Sequence, residues 1–92
     1  MQEEEANRIA VALREYGLFA TVARPSAYRF GIRVPLGDGR EALWDVDGAA
    51  GLEAQIMRDG VLVGFVPNIE GSDQFDEAMT ARAIATADYG PA

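Results

Sequence analysis

The sequence predicts an α+β fold: an antiparallel meander sheet of four to five strands, with an N-terminal and a C-terminal helix packed on one face, in the order α-β-β-β-β-β-α. Three observations carry this expectation. Apolar residues recur at spacings of three and four near the start of the chain and again after residue 72. Between 27 and 47 they alternate with period two. Gly37-Asp38-Gly39 and Asp59-Gly60 separate the strands at hairpin distance. With 92 residues, the chain is expected to form one small domain over residues 1–92.

The first helix is read over residues 3–16. Ala6, Ile9, Ala10, Leu13 and Tyr16 form its apolar stripe. Glu3, Glu4 and Glu5 lie where the positive end of the helix dipole favours carboxylates. Glu4 and Arg8 are expected to pair across one turn. Gly17 suits a left-handed C′ position, which makes Leu18 the C″ residue and brings it against Leu13.

Residues 18–24 read as a strand followed by a three- or four-residue turn around Pro25-Ser26. Proline cannot open a tight two-residue hairpin. The shorter loop turns Leu18, Ala20 and Val22 inward, and the longer one Phe19, Thr21 and Ala23. Residues 27–35 are the clearest strand, with Tyr28, Phe30, Ile32 and Val34 on one face and Arg29 and Arg33 on the other.

The strand 40–47 carries Ala42, Trp44 and Val46 on its apolar face. Residues opposite one another must face the same side, so a three-residue loop, Gly37-Asp38-Gly39, pairs Val34 with Ala42, Ile32 with Trp44 and Phe30 with Val46. Gly39 then falls at the left-handed position of a type I turn with a G1 bulge. Trp44 is thereby a core residue. On the outer face Arg29 lies opposite Asp47, and Arg33 opposite Leu43 with Glu41 and Asp45 on its diagonals.

Residues 48–51 are read as a loop. Residues 52–58 contain good helix formers, but the Asp59-Gly60 turn and the apolar run that follows favour a strand 53–58 paired with 61–66. A regular hairpin pairs Met57 with Leu62 and Gln55 with Gly64. The second helix is read over 73–88, capped by Ser72 or Asp73. Phe75, Ala78, Met79, Arg82, Ala83 and Thr86 share one side, with Ile84 on the other.

The chain holds 15 acidic and 8 basic residues, net charge −7, with neither His nor Cys. Every basic residue is Arg. Thiolate chemistry, cysteine-built zinc sites, imidazole general bases and Schiff-base lysines are therefore excluded. The acidity disfavours nucleic acid and anionic membrane surfaces as partners. No segment approaches the roughly 20 apolar residues of a membrane span, and Met-Gln-Glu-Glu-Glu is the reverse of a signal-peptide start, so a cytoplasmic protein is expected.

Asp45-Val46-Asp47-Gly48 resembles the first motif of the haloacid dehalogenase superfamily. That resemblance implies a nucleophilic Asp45, an acid/base Asp47 and bound Mg²⁺. The family also needs a downstream Lys and a larger parallel sheet, which this chain lacks. Neutralisation of Arg29 and Arg33 across the strands accounts for both carboxylates more simply. The same pair with Asp38 or Glu53 is the best oxygen-ligand set, but Gly48 does not fit the EF-hand spacing. Gly37-Asp38-Gly39 resembles a fragment of a phosphate-binding loop, yet no helix follows it to receive an anion.

The outer sheet face carries the functional expectation. Leu43, Met57 and Leu62, with Val66 as a further candidate, lie on the side of Arg29, Arg33 and Asp45, away from both helices. Uncovered apolar patches of this kind mark interaction sites. The expected function is a non-enzymatic protein-interaction domain without a cofactor, a homodimer or an adaptor for another protein. Its binding residues would be Arg29, Arg33, Leu43, Asp45, Met57 and Leu62. The element order is similar to small type III secretion chaperone-like domains, a resemblance that implies an acidic dimer. Two further readings are an acidic decoy imitating nucleic acid, and a small carboxylate-dependent enzyme or cation-binding protein.

Overall fold

The computed structural model describes residues 2–26, 29–47 and 51–90, and of these 25, 26, 29 and 45–47 by backbone alone. The elements are α1 (Glu3–Glu15), β1 (Thr21–Ser26), β2 (Arg29–Pro35), β3 (Arg40–Asp47), β4 (Gly51–Arg58), β5 (Val61–Val66), a 3-10 turn (Ser72–Gln74) and α2 (Glu77–Thr86). The strands form one antiparallel sheet in the order β1-β2-β3-β4-β5, flanked by the two helices. Both helices bury their apolar stripes on the same face. Ala6, Ile9, Ala10 and Leu13 of α1 and Ala81 and Ile84 of α2 join Ile32, Val34, Ala42, Trp44, Leu52, Ala54 and Ile56 in one core.

α1 ends as its sequence dictates. Gly17 has φ 88°, the Leu18 N–H donates to the Leu13 carbonyl at 3.1 Å and the Gly17 N–H to that of Arg14 at 3.0 Å. These are the two bonds of a Schellman cap. Arg8 departs from expectation. Its guanidinium meets Glu77 of α2 through two bonds of 2.7 Å rather than Glu4 one turn away. A planar guanidinium makes two parallel bonds to one carboxylate, and that geometry lies between the helices.

β1 corrects the expected turn. Pro25 and Ser26 belong to the strand, and Ala27 and Tyr28, which follow, lie outside the described residues. A proline has no N–H for the ladder, which an edge strand tolerates. The register slips between the Ala23–Gly31 and Ser26–Arg29 pairs. Ala20 is buried and Val22 packs against the core, so the Leu18-Ala20-Val22 face is the inward one.

The β2–β3 register is the expected one: Ile32 opposite Trp44, Arg33 opposite Leu43, Val34 opposite Ala42. The turn differs in detail. Gly37 and Gly39 both have positive φ, 81° and 91°, so it does not begin as a type I turn. The Asp38 carboxylate closes it by accepting from the Arg40 backbone N–H at 3.0 Å and from Arg40 Nε at 2.7 Å.

β4 is a strand despite its helix-forming composition, because alternation places Leu52, Ala54 and Ile56 in the core. β5 starts in the expected register, Arg58 with Val61 and Met57 with Leu62. It then slips by one residue. Ile56 pairs with Gly64, Gln55 with Phe65 and Ala54 with Val66. This bulge reverses the remaining side chains. Val66 enters the core at 6% exposure, so it does not belong to the outer face, and Phe65 stands out at 63%.

α2 also corrects the sequence reading. Its N-cap is Asp76, whose carboxylate accepts from the Met79 N–H at 2.8 Å, and Phe75 precedes it on extended backbone. The buried stripe is Thr80, Ala81 and Ile84, while Met79 is exposed. A helix that includes Phe75 tilts its expected apolar face away from Ile84. With Phe75 outside, Ile84 among small residues marks the inward side.

Candidate interaction surface

Antiparallel pairing lines up the outer face in rows. One row runs Thr21–Arg33–Leu43–Gln55–Phe65, and the next Pro35–Glu41–Met57–Leu62. Leu43 thus sits between Arg33 and Gln55, and Met57 between Glu41 and Leu62. Leu43 and Met57 are half-buried by their neighbours, while Leu62 and Phe65 are exposed. Four apolar side chains, Leu43, Met57, Leu62 and Phe65, therefore occupy one end of the face opposite both helices.

Arg33 and Glu41 border this patch and form an ion pair through Nε and Oε2. Their register places Glu41 two residues along β3 from Leu43, which lies opposite Arg33, within a diagonal reach. Arg29 and Asp45 hold strand positions of the same parity, Asp45 between Gly31 and Glu53. Their side chains lie outside those described, as do Asp47 and the Asp45-Val46-Asp47-Gly48 motif as a whole. Of the six residues read as binding from the sequence, Arg33, Leu43, Met57 and Leu62 are brought together. Phe65 was missed. Its signal was Gly64, since an isolated glycine inside a strand pattern marks a bulge.

The opposite face holds a cluster that the sequence reading did not foresee. The chain after α2 returns over the sheet, and Tyr89 stacks edge-on against Trp44 with ring centroids 6.1 Å apart. The Trp44 indole N–H donates to the Tyr89 hydroxyl at 3.1 Å, which itself donates to the Ile84 carbonyl at 2.7 Å. Arg40 donates to the carbonyls of Tyr89 and Gly90 while holding Asp38 with Nε. A buried indole N–H needs a partner, and this one has the tail tyrosine.

The charges follow from these contacts. The Arg40 backbone N–H, aided by its guanidinium, holds the Asp38 carboxyl below the usual range. The bond from Arg8 does the same for Glu77. Burial pushes the Tyr89 phenol up, opposed by the bond from Trp44. A phenol whose pKa is raised by folding adds stability in full below its unfolded value near 10. That contribution is lost as pH climbs through the raised folded value. Denaturant titrations above pH ~10 are expected to show a loss of stability in the wild type that Tyr89→Phe lacks. Equal alkaline losses in both proteins would remove Tyr89 as the cause.

Among the described residues, no three acidic side chains gather to hold a metal ion. No described helix is long and apolar enough to cross a membrane. No family model matches the chain, and no curated protein or solved structure matches it either. The functional reading therefore rests on the sheet face itself.

Proposed function

We propose that this chain is a non-enzymatic protein-interaction domain of the cytoplasm that works through the outer face of its sheet, as a homodimer or as an adaptor for another protein. One observation supports this reading: Leu43, Met57, Leu62 and Phe65 lie together on the side of the sheet that neither helix covers. Soluble proteins seldom leave a contiguous apolar patch uncovered unless a partner uses it. The Arg33–Glu41 pair at its border offers both signs of charge, which suits a polar rim around an apolar centre. Arg29 and Asp45 hold backbone positions of the same parity on β2 and β3.

Replacing Leu43 and Met57 together by Glu tests the proposal. Each apolar anchor at the centre of an interface is worth about 2 kcal/mol or more. The double variant is expected to lose the partner bound at this face by a factor of a hundred or more. Its folding stability should stay within about 1 kcal/mol of wild type, because neither side chain reaches the core. Undiminished association in a folded double variant would refute the use of this face.

A further inference from the structure

The two edges of the sheet are built differently. β1 carries Pro25, the charged Arg24 and a register slip between Ala23 and Ser26. Proline and charge are usual means of keeping an edge from pairing with another chain, whereas a register slip occurs at both edges. β5 reads Val61-Leu62-Val63-Gly64-Phe65-Val66, with neither proline nor charge. Val61, Leu62, Val63 and Phe65 are all exposed, by 45–63%.

The backbone of β5 is also open. Asp59 and Gly60, at φ 52° and 78°, make a two-residue hairpin closed by the Arg58–Val61 pair. Such a closing pair exchanges its bonds across the hairpin. Alternation then turns the N–H and C=O of Leu62 outward, and beyond the bulge those of Phe65. The chain after Val66 stays with β4, where the Ile69 N–H donates to the Leu52 carbonyl at 3.0 Å. Among the described elements, β5 makes extensive contact with β4 alone.

We infer that β5 pairs antiparallel with β5 of a second copy of this chain, joining the two five-stranded sheets across a two-fold axis. The open backbone groups call for an extended strand, and the apolar side chains call for one without charge. Every other described strand contains a charged residue. β5 meets both requirements for itself. In a chain of net charge −7, self-pairing through this strand brings no like charges together. Leu62 and Phe65 belong to the outer patch as well, so the join makes the two patches continuous across the axis. The inference rests on the interaction reading above and assigns self-association to the edge, leaving the face for a further protein.

Light scattering and sedimentation of the full chain over a range of concentrations test it, together with amide exchange. The wild type is expected to dimerise as concentration rises, with the Leu62 and Phe65 amides gaining protection in step. Val63→Lys places a charge on the edge but not in the patch, and should weaken the dimer at least about tenfold. Leu62→Pro removes an outward N–H and should do the same. If it unfolds, Val63→Lys still decides the matter. Leu43→Glu should leave the dimer intact. A monomer at every concentration would overturn the inference, as would a dimer indifferent to Val63→Lys. A dimer lost with Leu43→Glu but not with Val63→Lys would assign self-association to the face instead, sparing the interaction reading while removing the edge.

Discussion

Trp44→Ala is expected to remove about 3–5 kcal/mol of folding stability. Trp44 is the largest fully buried side chain, 1% exposed, and lies opposite Ile32 on one neighbouring strand and Ala54 on the other. Ala54 is too small to fill the space an indole leaves. The substitution also takes away the edge-on contact and the bond that hold Tyr89. Stabilities of about 0.05–0.15 kcal/mol per residue leave little margin for a chain of this length. Urea titration followed by far-ultraviolet circular dichroism measures the effect, since the only tryptophan is gone. Trp44→Phe keeps most of the volume and should cost less than half as much. A Trp44→Ala protein within 1 kcal/mol of wild type would mean that the sheet does not close over this residue.

Gly51→Ala is the second large effect, expected at about 2–5 kcal/mol. Gly51 opens β4 at φ 84°, a conformation that strains any other residue by about 1–3 kcal/mol. A Cβ there would lie 2.6 Å from Ser72 Oγ and 2.9 Å from Asn68 Nδ2. Ser72 cannot retreat without cost, because its hydroxyl accepts the Leu52 N–H at 2.7 Å in a buried position. Stranding that donor adds about 1–3 kcal/mol. Gly64→Ala is the control. Its Cβ would meet Ile56 at an ordinary 3.8 Å, and its φ is not positive. Equal losses at the two sites would show that the Ser72 contact is not the cause.

How far the fold could be read from the sequence depended on how many signals met at each element. At β2–β3 the alternation of both strands and the length of the glycine turn demanded the same pairing, so Ile32 opposite Trp44 was derivable. Leu43, Met57 and Leu62 were placed on the outer face by parity from that anchor. Beyond Leu62 parity alone misled, because the bulge at Val63 exchanges the faces of Phe65 and Val66. Pro25 read as a turn because nothing in the local pattern says that β1 is an edge. The Arg40–Trp44–Tyr89 cluster joins residues more than 40 positions apart. No local period reports such a contact.

The Arg8–Glu77 bridge joins the first helix to the last. α1 lies against β1 and β2, and α2 lies against α1 and adds Ala81 and Ile84 to the core. During synthesis the core therefore waits without Ala81 and Ile84 until the last helix is made, a state prone to sticking to other nascent chains. Premature termination before residue 77 would leave every described strand in place and still yield a chain without Ala81, Ile84 and the Glu77 half of the bridge.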